Sequence, residues 1–145
     1  MQGLSHLGHK TPYIDKYDPS LLEAFDNPHP HLDIFTRLYT EEFTSLCPIT
    51  SQPDFASLSI NYIAHLKMVE SKSLKLYLFS FRNEGMFGED CAGKILNDLV
   101  ALLKPKYLEV QAKFSKRGSI ALEPFVSYAI KDYQTLKQQR LARIY

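Results

Sequence analysis

The sequence has no tryptophan, only two cysteines and no long apolar run. Two cysteines, Cys47 and Cys91, are too few for a disulfide scaffold and lack the paired spacing of a zinc site. No window approaches the roughly 20 apolar residues that cross a bilayer, and the N-terminus lacks the apolar segment of a secretory signal. We therefore predict a cytoplasmic protein with no membrane partner, in which each cysteine acts as a single thiol.

An excess of charge of one sign is also missing. Seventeen lysines and arginines stand against sixteen aspartates and glutamates, so the net charge is +1 and no field favours nucleic acid as a direct partner. The GxGxxG, Walker and HExxH motifs are absent as well. A nucleotide cofactor would therefore have to bind without a Rossmann or P-loop site.

What is present is enough for one core, because 45% of the 145 residues are hydrophobic. Prolines crowd the first part of the chain, which indicates irregular structure there. We predict an N-terminal arm over residues 1–30, one domain over 31–130 and a charged C-terminal helix over 131–145.

Alternation of apolar and polar residues predicts four strands, over 32–40, 56–62, 108–114 and 120–128. Apolar spacings of three and four predict a helix over 92–103. Residues 70–81 fit a strand or a helix, and we favour the helix because its helical neighbour needs an antiparallel partner. Residues 42–53 are predicted to be loop, and Arg117-Gly118 a turn. The order of elements indicates an α+β fold, with two antiparallel helices on one face of an antiparallel sheet.

The loop after the first strand contains a thiol and a carboxylate. Cys47 precedes Pro48 and Asp54 follows Pro53, so the backbone is restrained on both sides. Side by side, the two groups would form a nucleophile and a proton carrier. The alternatives are a small buried hydrophobe for Cys47 and a turn or strand-start cap for Asp54. Cys91 lies beside the apolar stripe of its helix and is predicted to be structural.

The run from Glu70 to Lys75 places two lysines three positions apart, on one face of the predicted helix and near its N-terminus. Such an end attracts phosphate groups. The alternative is a solvated face with a capping serine.

Several stretches together resemble one family of enzymes. They are FTSLCP at 43–48, QPDFA at 52–56, ESKSLKLY at 70–77, FSFRN at 79–83, KYLEV at 106–110 and RG at 117–118. The combination, over about residues 30 to 130, resembles the short, single-module 7-cyano-7-deazaguanine reductases of queuosine biosynthesis, the QueF family. The resemblance implies the tunnelling fold (T-fold), whose subunits join their sheets into rings, here a pair of pentamers (a decamer) with the pocket between neighbours.

The resemblance also implies the chemistry. Cys47 would add to the nitrile carbon of 7-cyano-7-deazaguanine and form a thioimide, while Asp54 would carry a proton to the nitrogen. Two molecules of NADPH per nitrile would give the aminomethyl product, a precursor of the queuosine base in tRNA. No metal would be required.

The same match implies which residues bind the two ligands. Those that match the family's substrate site are Val69, Glu70, Ser71, Gly88 and Glu89. Those that match its cofactor motif are Lys72, Ser73, Lys75 and Tyr77, with Arg117 as a further candidate for the NADPH phosphates. Glu89 would accept N–H groups of the deazaguanine, because a carboxylate suits a guanine-like donor edge.

Three positions depart from the family pattern. Gly88 stands where the family has histidine, Glu84 where another histidine is expected, and Ser51 where many members have glycine. If the missing imidazole limits catalysis, Gly88→His should raise turnover.

Two other functions stay open. One is a QueF-like amidinotransferase, which uses the thiol and the nitrile without hydride, although the intact Lys72, Ser73 and Lys75 argue against it. The other is a protein that captures the deazaguanine base without reducing it.

Overall fold

A computed structural model describes residues 4–144 of the chain, so residues 1–3 of the predicted arm and residue 145 of the predicted C-terminal helix lie outside it. The strands are β1 (Ala24–Asp26), β2 (Phe35–Leu46), β3 (Pro53–Ile63), β4 (Lys67–Val69), β5 (Tyr107–Phe114) and β6 (Phe125–Ala129). The helices are α1 (Ser71–Phe79), α2 (Gly88–Leu103) and α3 (Gln134–Leu141), with short 3-10 helices at Pro19–Leu21 and Lys131–Tyr133.

The main sheet has four strands in the order β2-β3-β5-β6, and each neighbouring pair is antiparallel. A second, two-stranded sheet pairs β1 with β4, also antiparallel. Together with three helices this confirms the predicted α+β class with an antiparallel sheet. The helices in the described part of the chain are too short or too polar to cross a membrane.

The main core lies between the helices α1 and α2 and one face of the main sheet. Alternate residues of β3 and β5 are buried there, and the apolar stripe of α2 packs among them. The buried residues of this layer include Leu58, Ile60, Tyr62, Leu108, Val110, Ala112, Cys91, Ile95 and Leu99.

The other residues of the central strands are largely polar, and one of them, Glu109, is a buried carboxylate that forms an ion pair with a partly exposed arginine. Glu109 on β5 accepts from Arg140 of α3 at 2.6 Å and from Asn61 of β3 at 2.7 Å. The Tyr107 hydroxyl also donates to this carboxylate. Because Glu109 is almost fully buried, these donors replace the water it has lost and dock α3 against the sheet.

Three predictions about the backbone were wrong. Residues 42–53 are not all loop, because β2 continues through Leu46 and β3 begins at Pro53. A register shift between Thr40 and Phe43 interrupts the two-residue period, which hid the second half of β2. The predicted strand over 120–128 begins only at Phe125, and the arm is not wholly irregular, since it contains β1.

The other elements agree with the prediction. The ambiguous segment 70–81 is the helix α1, and the segment 92–103 belongs to α2, which starts four residues earlier than its apolar stripe. Residues 56–62 and 108–114 lie within β3 and β5. Arg117 and Ile120 form a bridge around a turn, as the Arg117-Gly118 pair predicts.

Candidate active site

The Cys47 thiol lies on a short, closed turn between β2 and β3. The N–H of Cys47 donates to the carbonyl of Gln52 at 2.8 Å, and the N–H of Ser51 donates to the carbonyl of Cys47 at 2.9 Å. Ser51 has a φ of 56°, a left-handed conformation that glycine adopts more easily. This conformation gives a physical reason for a preference for glycine at position 51.

The turn stabilises the thiolate of Cys47. The Thr50 hydroxyl and the backbone N–H groups of Thr50 and Ile49 bond to the sulfur, with a smaller contribution from Arg117, and lower the pKa of Cys47 from 9.0 to about 7. Hydrogen bonds to the charged form favour that form. At pH 7 about half of Cys47 is therefore thiolate and can act as a nucleophile.

Asp54 is the second residue of β3 and follows the turn that contains Cys47. An Nη2 atom of Arg117 lies 2.6 Å from its Oδ1 atom, and 3.4 and 3.3 Å from the carbonyl oxygens of Gln52 and Pro53. The structure therefore brings the predicted nucleophile, the predicted proton carrier and Arg117 into one cluster.

Cys91 has the opposite surroundings. It is fully buried on α2, and its thiol donates to the Ser45 hydroxyl at 3.8 Å. Burial raises its pKa to about 11, so it stays a neutral thiol. Ser45 pairs with Asp54 across β2 and β3, which places the inert thiol behind the reactive cluster.

The segment that departs from the family pattern is attached to this cluster through its backbone. Leu46 donates its N–H to the carbonyl of Glu84 and accepts from the N–H of Met86, both at 2.9 Å. The side chain of Glu84 accepts from the N–H of Tyr17 at 2.9 Å. The residue before Cys47 is thus held from both sides.

Gly88 begins α2 in a buried position where no side chain fits without rearrangement. A Cβ atom there would lie 2.7 Å from Cε2 of Phe114 and 2.8 Å from Cδ2 of Leu122. These two side chains therefore occupy the space that a histidine side chain at position 88 would need. Glu89, the next residue, is exposed in the first turn of the helix, where an anion suits the helix dipole.

Val69 and Glu70 connect β4 to α1. Val69 is buried at the end of β4, and the carboxylate of Glu70 accepts from the N–H of Lys72 at 2.9 Å and of Ser73 at 2.7 Å. Glu70 therefore caps α1, a role for which the sequence suggested a serine. Ser73 is fully buried, and its hydroxyl donates to the carbonyl of Glu70 at 2.7 Å.

The predicted substrate residue Ser71 and the remaining residues of the predicted cofactor motif differ in exposure. Ser71 and Lys75 are exposed and line a cavity of about 350 Å³ between α1 and β2. Lys72 donates to backbone carbonyls of the arm, at His6 and His9. Tyr77 is fully buried, and its hydroxyl donates to Asp98 at 2.5 Å.

Lys75 also contacts the arm, because its ammonium lies 5.7 Å from the centre of the Tyr13 ring. A hydrogen bond with Tyr13 raises the pKa of Lys75, so the group stays a cation.

The site residues thus fall into two groups. Cys47, Asp54, Arg117 and the 84–86 segment share contacts around the turn, whereas the residues from 69 to 77 belong to β4 and α1. Sequence reasoning did not identify Thr50 or the N–H of Ile49 as partners of the thiol. The signal that could have found them is Cys-Pro followed within three residues by a hydroxyl, a sequence typical of a tight turn around the cysteine.

Three comparisons relate this chain to known proteins. A family model described as QueF-like protein matches residues 53–133. The chain is 63% identical over 138 residues to the NADPH-dependent 7-cyano-7-deazaguanine reductase of Helicobacter pylori (strain Shi470), covering 95% of this chain and 94% of that protein. It is 57% identical over 144 residues to the protein of that name from Neisseria meningitidis serogroup B, covering 97% and 92%.

A solved structure is similar as well. The crystal structure of the archaeosine synthase QueF-Like in the apo form matches with a TM-score of 0.62 and 25% identity. The match covers 66% of this chain and 94% of that one.

Proposed function

The chain belongs to the QueF-like protein family, and on that premise we propose that it reduces the nitrile 7-cyano-7-deazaguanine to 7-aminomethyl-7-deazaguanine with NADPH. The observation that carries the proposal is the activated thiol of Cys47, with Asp54 and Arg117 in the same cluster, in a chain 63% identical to a reductase of this name. The product would serve queuosine formation in tRNA.

Cys47 would act as the nucleophile. A nitrile is a poor hydride acceptor, so its carbon first needs a good nucleophile. The thiolate would add to that carbon, forming a C–S bond as one C–N π bond breaks, and the nitrogen would take up a proton. The result would be a thioimide on Cys47, whose C=N bond is a better hydride acceptor.

Asp54 would take the proton of the Cys47 thiol and pass it to the nitrile nitrogen as the C–S bond forms. Asp54 lies on β3 opposite Ser45, just beyond the end of the Cys47 turn, and it shares Arg117 as a partner with Cys47. General acid catalysis of this kind requires the group to lie within hydrogen-bond reach of the reacting atom. After the first reduction the C–S bond would break, and Cys47 would leave as thiolate to give an imine.

The exposed cations of α1 fit the phosphates of NADPH. Lys75 lines the cavity between α1 and β2, and Lys72 lies on the same helix. An ammonium group is a suitable donor for phosphate oxygens. When bound, NADPH supplies the hydride, twice for each nitrile. Ser73 and Tyr77, which are buried, would support this surface from within the core.

Glu89, with Val69, Glu70 and Ser71, would hold the deazaguanine. Glu89 is exposed and its carboxylate can accept two N–H groups of a guanine-like ring. Both oxygens of Glu70 already accept from α1, so Glu70 would position the neighbouring Ser71. Gly88 would contribute its backbone alone.

A ring of T-fold subunits would bring the two groups of residues together. β2 and β6 are the edge strands of the main sheet, and the twelve-residue β2 exposes Phe35 and Tyr39. An edge of this kind pairs readily with another strand. Light scattering coupled to size exclusion tests this part of the proposal, which an active monomer would contradict.

The reaction itself is tested by two measurements on the same sample. The protein is incubated with 7-cyano-7-deazaguanine, with and without NADPH, and NADPH oxidation and the intact mass are followed. We expect turnover with NADPH, and without NADPH a mass gain that maps to the peptide of Cys47. The Cys91→Ala variant, which loses the other thiol, should behave like the unchanged protein.

The outcomes separate the competing functions. A Cys47 adduct without NADPH consumption would favour a protein that captures the base without reducing it, or one that transfers another group to the nitrile. If the protein forms no adduct and shows no turnover, the proposed reaction is excluded.

A further inference from the structure

Arg117 is held in place by a tight turn of its own. Arg117 and Ile120 exchange backbone hydrogen bonds of 3.1 and 2.9 Å, and the two residues between them, Gly118 and Ser119, have φ values of 53° and 70°. Two successive residues with positive φ are typical of a type I′ turn. Close by, the N–H of Ser115 donates to the carbonyl of Phe55 at 2.8 Å and ties the segment to β3.

From this turn the guanidinium of Arg117 contacts one oxygen atom of each of three consecutive residues, 52, 53 and 54. Nη2 of Arg117 lies 2.6 Å from Oδ1 of Asp54, 3.3 Å from the carbonyl of Pro53 and 3.4 Å from the carbonyl of Gln52. The Gln52 carbonyl also accepts the N–H of Cys47. One cation thus bonds to the proton carrier and to the backbone atom that closes the nucleophile's turn.

The electrostatic setting gives this contact a consequence. A thiolate and a carboxylate that lie close together repel each other, and an adjacent cation offsets that repulsion. The Asp54 side chain is only about 21% exposed, so water screens it incompletely. Arg117 contributes to the lowered pKa of Cys47, although the Thr50 hydroxyl contributes most.

We propose that Arg117 is a positioning residue that holds the Cys47 turn and Asp54 together and places a positive charge at both before any ligand binds. This role differs from contact with NADPH phosphates, which the family resemblance implies for the same residue. It rests on the proposed function only in taking Cys47 and Asp54 as the reacting pair.

The test measures the pH dependence of Cys47 alkylation by iodoacetamide, quantified on the Cys47 peptide, in the full-length protein without nitrile or NADPH. For Arg117→Gln we expect the midpoint to move up from about 7 and the rate at neutral pH to fall about two- to fivefold. Arg117→Lys keeps the charge but has a single donor group. Its alkylation midpoint should lie between those of the unchanged protein and Arg117→Gln.

The control is Lys116→Gln, which removes a positive charge from an exposed neighbour of Arg117. Its alkylation profile should match that of the unchanged protein. A thermal melt confirms that each variant is folded, and if Arg117→Gln does not fold, Arg117→Lys alone decides by its midpoint.

A midpoint that stays at its original value in the folded Arg117 variants overturns the proposal, even if the KM for NADPH rises. Because alkylation needs neither substrate nor cofactor, this result is independent of nitrile reduction. If the unchanged protein does not reduce the nitrile but the Arg117 variants alter the alkylation midpoint, the proposed function is contradicted. The role of Arg117 then still holds.

Discussion

Cys47 and Cys91 are the same chemical group in two surroundings of one small protein. Cys47 lies on an exposed turn where the Thr50 hydroxyl, two N–H groups and Arg117 lower its pKa to about 7. Cys91 is buried on α2 with Ser45 as its partner, and burial raises its pKa to about 11. Donors aimed at the sulfur in the first case, and their scarcity in the second, decide which thiol can react.

The comparison teaches that reactivity here comes from the closed turn between Cys47 and Gln52 rather than from depth in a cavity. Cys91 is better enclosed, yet its enclosure is apolar and opposes ionisation. The Cys47 turn is open to solvent but supplies donors that would otherwise come from water. A small subunit can therefore provide an activated thiol without enclosing it.

The largest expected effect comes from removing each thiol in turn. Cys47→Ala should lower turnover of the nitrile by about 10⁴-fold or more, because the nucleophile is lost. Cys91→Ala should leave turnover nearly unchanged and cost about 1 kcal/mol of unfolding free energy, a typical value for a core truncation. Steady-state rates and thermal melts of both variants check this, and equal activity losses would break the comparison.

The next effect is the difference in alkylation rate between the two thiols. At pH 7 about half of Cys47 but only about one Cys91 in 10⁴ is thiolate. A thiolate of low pKa is intrinsically less nucleophilic, which reduces this advantage to at least about 10²-fold. Cys47 alkylation should rise with pH through about 7 and be lost below it. Peptide-level mass spectrometry reads both sites, and a Cys91 rate within about tenfold of the Cys47 rate would contradict the assignment.

A smaller effect probes the packing around the helix that carries Cys91. Gly88→Ala should destabilise the fold by about 1–3 kcal/mol, because its Cβ would lie 2.7 Å from Phe114. Gly93→Ala, in the same helix with nothing within 4 Å, should stabilise it by about 0.5–1 kcal/mol. Chemical denaturation measures both. Equal effects would show that Phe114 and Leu122 yield freely.

The same contact qualifies the expectation for Gly88→His. An imidazole at this position needs Phe114 and Leu122 to move, so any gain in turnover competes with a packing cost. We expect a gain to be clearer in a Leu122→Ala background, because that change vacates space beside Gly88. Turnover of the double variant below that of Leu122→Ala alone would show that the imidazole does not help this enzyme.

The smallest effect isolates one donor to the reactive thiol. Thr50→Val removes the hydroxyl that contributes most to the lowered pKa of Cys47, and should move the alkylation midpoint up by less than about one pH unit. Thr50→Ser retains the hydroxyl and should keep the original midpoint. A midpoint that does not move in Thr50→Val would assign the lowered pKa to the backbone and Arg117 instead.

Much of the fold follows from sequence periodicity. The two-residue period over 56–62 and 108–114 and the apolar stripe of 92–103 predicted the central strands and the longest helix, because those elements bury one regular face. The second half of β2 was missed since the irregularity between Thr40 and Phe43 shifts the phase of the pattern. The three-residue strands β1 and β4 are too short to show any period.

The candidate site was predictable only in part. Cys47 and Asp54 were singled out because each adjoins a proline of the same short segment. Their common contact with Arg117 depends on a turn more than sixty residues further along the chain. The capping role of Glu70 and the side chains packed over Gly88 likewise arise from contacts seen only in the fold. Local sequence identifies which groups can react, while the distant partners that tune them become visible only in three dimensions.

The bridge between Leu46 and the 84–86 segment has a consequence for how this family can change over time. Its two hydrogen bonds join main-chain atoms, and such bonds are indifferent to which side chains the residues carry. The side chains of the 84–86 segment can therefore vary beside the nucleophile without displacing it. These two backbone hydrogen bonds can therefore hold the thiol in position while the side chains around it change.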